Sequence, residues 1–243
     1  MTWLSFCVAL GLAAVHLLAG KLRFLDVTPR SIWLSAAGGA SVAYVFLHIL
    51  PDLAKAQESF DAPVAGFLTS IERHVWLLSL GGLSVFYGLE RLVRQSGRNA
   101  AGQGSKVRSQ RVFWLHIGSF TVYNLVFGYL LQNREQAGAR NLLLFGAAIG
   151  LHFIVNDFGL RRDHQSAYDR TARWILGAAV LAGSIIGIFA PIERMGVEAL
   201  YAVLAGGIIL NVLKEELPEE RESRFWAFAA GAGLYGGLLL LAA

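Results

Sequence analysis

Eight long apolar runs constrain this chain more than any other feature of its sequence. They lie at roughly residues 2–20, 31–50, 75–93, 112–132, 141–160, 174–192, 198–214 and 224–243. A helix needs about 20 mostly apolar residues to cross a bilayer. Only 16% of the 243 residues are charged, whereas soluble domains carry about a quarter. The sequence therefore predicts an all-α polytopic membrane protein, with eight transmembrane helices in a single domain over residues 1–243.

The basic residues predict how these helices are oriented. Sixteen of the 21 Lys and Arg residues lie in the first, third, fifth and seventh connections, and five lie in the others. Because Lys and Arg collect in cytoplasmic loops, both termini are predicted to lie outside the cytoplasm. The net charge of +4 then needs no nucleic acid to explain it. Residues 95–110, rich in Gly, Ser, Asn and Gln, are predicted to form a flexible cytoplasmic loop between the third and fourth helices.

The cellular setting is predicted from what the sequence lacks. The single cysteine, Cys7, excludes an intrachain disulfide and a cysteine metal cluster. The first run has neither a basic leader nor a small-residue cleavage site, so it is expected to be a retained helix. A compact chain of this kind is expected in a plasma membrane, with the bacterial inner membrane as the simplest location.

An internal similarity relates the second and seventh runs. Ala37-Gly38-Gly39 is followed after eleven residues by Pro51-Asp52, and Ala205-Gly206-Gly207 is followed after ten residues by Pro218-Glu219. The two runs are predicted to cross the membrane in opposite directions. The similarity therefore predicts an inverted repeat of the first three and last three helices around the middle two, a plan common in secondary transporters. Chance recurrence of small residues and prolines is the alternative.

Few polar side chains lie inside the predicted spans, and an ionisable one at a helix centre costs about 2.5 to 3.5 kcal/mol on insertion. The interior set is His16, His116, Asn124, His152, Asn156 and Asp157. At span ends lie His48, Asp52 and Glu90. A lone His or Asn often serves only to pack helices through a hydrogen bond, and this interpretation is favoured for His16. A functional role is favoured for His152, Asn156 and Asp157, because three polar groups share one short stretch of an apolar helix.

Two segments resemble a known family. Tyr44–Asp52, and Leu204–Ile208 with the following Leu217–Glu219, resemble the second and seventh helices of the ZIP family of divalent metal transporters. The helix order, the external termini, the cytoplasmic loop after the third helix and the 3+2+3 inverted-repeat plan also resemble that family. The resemblance implies a secondary transporter of divalent metal ions, zinc or similar.

The resemblance also implies where a metal would bind. In the family, helices 4 and 5 carry the ligands in His-Asn-x-x-Asp and His-Glu-x-x-His, or close variants. Asn124 and His152 match those motifs, and Asn156 stands at the last ligand position. Three other motif positions are changed, to Tyr123, Phe127 and Phe153.

We therefore predict a degenerate metal site between helices 4 and 5. Its predicted members are His152, Asn156, Asn124, Asp157 and His116, with His48 and Asp52 as an entrance pair. Zinc sites normally use His, thiolate or carboxylate ligands. Because two carboxylates are missing from the mapped positions, the site is expected to bind metal weakly.

Two kinds of function remain open at this point. The first is divalent-ion transport, and the alternative is a non-transporting ZIP-like membrane scaffold or regulatory protein. No enzyme is predicted, since the sequence has no His-Glu-x-x-His, no Gly-x-Ser-Gly and no pair of intramembrane aspartates. The expected partners are the lipid bilayer and a divalent cation as substrate, with no tightly bound cofactor and no nucleic acid. A homodimer is left open.

Overall fold

The structure, a computed structural model, describes residues 2–21, 31–60, 74–101, 106–133, 138–216 and 224–242. These residues are helical almost throughout and include no strand. Helix α1 is Thr2–Leu18, continued by a 3-10 turn at Ala19–Lys21. Helices α2, Ile32–Tyr44, and α3, Leu50–Phe60, are joined by a π-helical turn at Val45–Ile49.

The remaining helices follow in chain order. Helix α4 is Val75–Ala101 and α5 is Lys106–Gln132. Helix α6, Ala139–Ala167, runs through a second π turn at Tyr168–Ala172 into α7, Arg173–Phe189. Helices α8, Arg194–Glu216, and α9, Phe225–Ala242, complete the chain. The all-α prediction is confirmed for the described residues, and each predicted apolar run overlaps a helical stretch, although some stretches extend more than one turn beyond the run, as α3 does to Phe60 and α4 to Ala101.

Within the described ranges, five helical stretches are long and apolar enough to cross a membrane. They are Thr2–Lys21, Ile32–Gln57, Ala139–Arg162, Tyr168–Phe189 and Arg194–Lys214. A further apolar helix, Phe225–Leu241, is shorter. These lengths and compositions indicate a membrane protein, while the full number of eight spans stays a prediction.

The predicted loop at residues 95–110 is largely helical. Helix α4 continues to Ala101 and α5 begins at Lys106, and residues 102–105 lie outside the described ranges. The reason is that Arg, Gln, Lys and Ala are good helix formers, so a polar composition without proline does not end a helix. The prediction of a loop over all sixteen residues is wrong in extent.

The first π turn explains how Pro51 is tolerated inside a helical stretch. A proline lacks the backbone N–H and clashes with the preceding turn. Here the wider turn precedes it, and the Leu50 N–H donates to the Val45 carbonyl, five residues back. Local π geometry of this kind relieves the backbone around a proline in a membrane helix.

Helices α2 and α9 approach until their backbones touch. A Cβ added to Gly39 would lie 2.0 Å from the Phe228 carbonyl oxygen, and one added to Gly231 would lie 2.0 Å from that of Ala36. Further along, Gly236 meets the Leu47 side chain. Because residue numbers rise together on both helices, the pair is parallel. Small residues permit such close contact between membrane helices.

Helices α4 and α8 repeat this geometry. A Cβ on Gly82 would lie 2.0 Å from the Val203 carbonyl oxygen, and one on Gly206 would lie 1.9 Å from that of Ser79. In both pairs, each glycine faces the carbonyl three residues before the partner glycine. Helices α5 and α7 form a third pair of the same design, through Gly128 on Val180 and Gly183 on Leu125.

These contacts give a register for the internal similarity. Gly39 of α2 and Gly206 of α8 occupy equivalent contact positions, and their numbers differ by 206 − 39 = 167. The same difference relates Pro51 to Pro218 in the sequence, although Leu217, Pro218 and Glu219 lie outside the described residues. In the sequence comparison, the spacing between the glycines and the proline differs by one residue, eleven against ten. This difference disappears when Gly39 is matched to Gly206 in place of Gly207.

Candidate functional site

The polar residues inside the helices form separate clusters, and the first is centred on His16 of α1. Its Nδ1 lies 2.9 Å and 2.8 Å from the two carboxylate oxygens of Asp157 on α6. Its Nε2 lies 2.8 Å from Oδ1 of Asn124 on α5. All three side chains are buried. His16 thus bridges two residues that the sequence assigned to a metal site.

Hydrogen bonding fixes how many protons this His16 cluster holds. Asn124 donates through Nδ2 to the Phe120 carbonyl at 2.7 Å, so its Oδ1 is the atom that faces His16. The Nε2 atom of His16 must therefore carry a hydrogen and donate it. One further hydrogen is shared between Nδ1 and the Asp157 carboxyl group. An imidazolium in contact with a carboxylate carries no net charge as a pair, and this is an arrangement that permits burial of ionisable groups.

The second cluster is centred on His152 of α6. Its Nε2 lies 2.9 Å from the Tyr123 hydroxyl and 3.0 Å from Nδ2 of Asn156. Two donors thus converge on one ring nitrogen, which accepts. Asn211 of α8 lies near the Tyr123 hydroxyl, although its Nδ2 makes no hydrogen bond of normal geometry, so this His152 cluster lies between α5, α6 and α8. All four side chains are buried.

Aromatic rings fill the space between the two clusters. Phe127 and Phe153 are fully buried with ring centroids 5.4 Å apart. Phe153 lies 4.6 Å from the His16 ring, and Phe127 lies 6.5 Å from the His152 ring. These phenylalanines occupy two positions that the family resemblance assigns to acidic residues. Apolar rings at these positions raise the cost of placing a charged ion beside them.

His116 belongs to a third cluster, at one end of the helices. Its Nδ1 lies 3.0 Å from Nε2 of His164, and its Nε2 lies 3.7 Å from Glu90. Glu90 also pairs with Lys214 at 3.0 Å. His116 precedes Tyr123 by seven residues, which is about 10 Å along a helix. His116 therefore lies with His164, Glu90 and Lys214, which we call the Glu90 cluster, and does not lie beside His152.

The predicted entrance pair lies at the first π turn. His48 Nε2 is 3.4 Å from Asp52, which also pairs with Lys55 at 3.7 Å. The His48 ring stacks on Tyr44 with centroids 4.9 Å apart. Both members of the pair are about one-fifth exposed, so they remain accessible at this end of α2 and α3.

The structure thus divides the predicted metal ligands among three places. His152 and Asn156 lie together, Asn124 and Asp157 bind His16, and His116 lies apart. His16 makes the interhelical hydrogen bonds that the packing interpretation predicts, although its partners Asp157 and Asn124 were not predicted. The sequence interpretation missed Tyr123, His164 and Lys214 as cluster members. One signal was available for His16, because an intramembrane Asp such as Asp157 needs a basic partner and few histidines lie in the apolar runs.

The described side chains and comparison with known proteins both bear on the predicted metal site. Among the described residues, no three His, Cys, Asp or Glu side chains are placed to hold a metal ion. No protein-family model matches the chain, and a search of curated proteins gives no significant match. The resemblance to metal transporters and the assignment of the metal ligands therefore stay predictions.

Proposed function

We propose that this protein is a polytopic membrane transporter that moves a divalent metal ion past His152, between α5, α6 and α8. The observation that carries the proposal is the buried His152 imidazole, whose Nε2 is surrounded by the Tyr123 hydroxyl and the Asn156 amide. Ionisable residues within membrane helices are rare, and they commonly mark ion pathways. Imidazole is also a common ligand for zinc and related ions.

The helix pairing supports a transporter built as an inverted repeat of eight spans. If the first three spans are equivalent to the last three, α2 is equivalent to α8 and α4 to α9. The α2–α9 pair then corresponds to the α8–α4 pair, and both pairs have the same glycine-to-carbonyl register. Inverted repeats of this kind place a substrate site near the membrane midplane.

The Glu90 cluster and the His48–Asp52 pair are proposed to lie at the opposite ends of such a path. Under the orientation predicted from Lys and Arg, the Glu90 cluster faces the cytoplasm and the His48–Asp52 pair faces outward. The Glu90 cluster links α4, α5, α6 and α8. We propose that its ion pairs separate when the inner end of the path opens, and that His48 and Asp52 meet the ion first.

A weak site is compatible with transport, since a carried ion must also be released. The His152 cluster offers one imidazole nitrogen, a phenolic oxygen and an amide, with no carboxylate among these three groups. A metal ion would replace the hydrogen bonds that Tyr123 and Asn156 make to Nε2. Micromolar or weaker binding is therefore expected, because the charge of the ion is poorly compensated.

The test is uptake of Zn²⁺ into proteoliposomes that contain the purified full chain. Wild-type protein should give saturable uptake, and His152→Ala should reduce it at least tenfold. His74→Ala serves as the control, because His74 is exposed and precedes α4, and it should leave uptake unchanged. Equal uptake by wild type and His152→Ala would remove His152 from the path.

The second candidate is a non-transporting membrane scaffold or regulatory protein. It is favoured by the complete burial of Phe127 and Phe153 between the two histidine clusters. The same liposome assay separates the candidates. Absence of saturable flux for Zn²⁺ and other divalent ions, in a wild-type preparation that is folded and monodisperse, would favour the scaffold.

A further inference from the structure

We propose that His16 is a tethered cation, occupying a position that would otherwise take a monovalent metal ion such as Na⁺. The inference goes beyond metal transport and holds whether or not the chain moves a divalent ion. It concerns the His16 cluster, in which Asp157 and Asn124 direct oxygen atoms at one buried imidazole.

The first argument is the chemistry of the atoms around the ring. His16 is bound by carboxylate oxygens of Asp157 and by the amide oxygen of Asn124. The Tyr168 hydroxyl lies beside Asp157, is fully buried, and makes no hydrogen bond of normal geometry. Carboxylate, amide and hydroxyl oxygens are the ligands of hard cations. Without the imidazole, this set would form an oxygen-lined cation site.

The second argument is charge. Asp157 is fully buried, and an uncompensated carboxylate there would be costly. Arg161, one turn further along α6, is bound to Asp169 at 3.0 Å, and Arg173 acts electrostatically on Tyr168, the neighbour of Asp157. His16 is therefore the group in direct contact that balances Asp157. A single carboxylate is balanced by one positive charge, so a monovalent ion replaces an imidazolium more closely than a divalent ion does.

The third argument is that His16, unlike a bound ion, cannot exchange with the solution. An ion from solution can exchange, whereas His16 is held by the backbone of α1 between α5 and α6. The contact therefore attaches α1 to the other two helices and makes the charge balance independent of salt composition. Wild-type stability should accordingly be the same in sodium, potassium and choline chloride at equal ionic strength.

The test replaces the tethered charge by a neutral side chain that can still form hydrogen bonds. The melting temperature of detergent-solubilised full-length His16→Gln is measured while NaCl or KCl replaces choline chloride at constant ionic strength. We expect this variant to gain about 3 to 6 °C for each tenfold rise in Na⁺ or K⁺ above the half-saturating concentration. The melting temperature of the wild-type protein should not change with the Na⁺ or K⁺ concentration.

Two further variants separate the charge from the shape of the site. The double variant His16→Gln with Asp157→Asn has no buried carboxylate to balance, and should be insensitive to Na⁺ and K⁺. His16→Lys keeps a tethered cation and should also be insensitive. The proposal is overturned if His16→Gln does not respond to either ion, if it cannot be recovered folded in any of the salts, or if the double variant responds equally.

Discussion

At the scale of single residues, the His16 and His152 clusters pair polar side chains across helices or one turn apart, whereas the buried Tyr168 hydroxyl makes no hydrogen bond of normal geometry. Tyr123 and Asn124 are neighbours in sequence but point to different clusters, because adjacent positions on a helix are about 100° apart. Tyr123 binds His152, and Asn124 binds His16. Buried polar groups are costly when unpaired, so each of these contacts is expected to stabilise the fold.

Asp157→Asn tests that expectation. The substitution keeps the size of the side chain but replaces the Asp157 carboxyl group, which shares a proton with His16, by an amide. We expect the free energy of unfolding in detergent to fall by about 1 to 3 kcal/mol. Asp169→Asn is the matched control, because Asp169 is 37% exposed in its pair with Arg161 and should change stability by less than about 1 kcal/mol. Equal effects of the two substitutions would contradict the assigned importance of Asp157.

Much of this residue-level picture could be predicted from the sequence, but the partners could not. The cost of placing polar groups in apolar helices identified His152, Asn156 and Asp157 as unusual. It could not tell that Asp157 binds His16, since the two lie 141 positions apart and their contact depends on how α1 packs on α6. His16 was interpreted as a packing residue for the same reason.

At the scale of helices, paired glycines determine the closest contacts. Gly82 lies where a Cβ would come within 2.0 Å of the Val203 carbonyl, while its neighbour Gly81 has no atom within 4 Å of its added Cβ. The two residues have the same sequence environment and opposite structural roles. The repeated glycines could be read from the sequence, but which of them touch a backbone could not, because that depends on helix rotation.

Gly82→Ala and Gly81→Ala form a matched pair for this contact. An added methyl at Gly82 must push α4 and α8 apart, and overpacking of this kind costs about 1 to 3 kcal/mol. At Gly81 the methyl meets open space, so stability should stay equal or rise by up to about 1 kcal/mol through higher helix propensity. Thermal unfolding of both variants in one detergent measures the difference. Equal melting temperatures would show that the α4–α8 contact is looser than described.

The helix boundaries show a second limit of sequence interpretation. The apolar runs located the helices, but the predicted third run ends at residue 93, whereas α4 ends at Ala101, and the predicted fourth run begins at residue 112, whereas α5 begins at Lys106. Polar residues at 95–101 and 106–110 continue these helices. The π turn at Val45–Ile49 was likewise not visible in the sequence, although Pro51 marked a place where the backbone needs an adjustment.

At the scale of the whole molecule, the described helices pack as parallel pairs and hold three polar clusters between them. The α2–α9 and α4–α8 pairs share one contact register, which supports the proposed inverted repeat. The His16 and His152 clusters lie inside the helices, and the Glu90 cluster joins four helices at one end. The central proposal is that a divalent ion passes the His152 cluster, while His16 supplies the balancing charge for Asp157.

The most direct test of that proposal is the location of a bound metal. Crystals or particles of the full chain prepared with Cd²⁺ or Zn²⁺ can be measured for anomalous scattering or for metal density. We expect density within bonding distance of His152 Nε2, next to Tyr123 and Asn156, and no density between His16 and Asp157. Metal bound between Asp157 and Asn124 with His16 displaced, or no density near His152 at saturating metal, would contradict it.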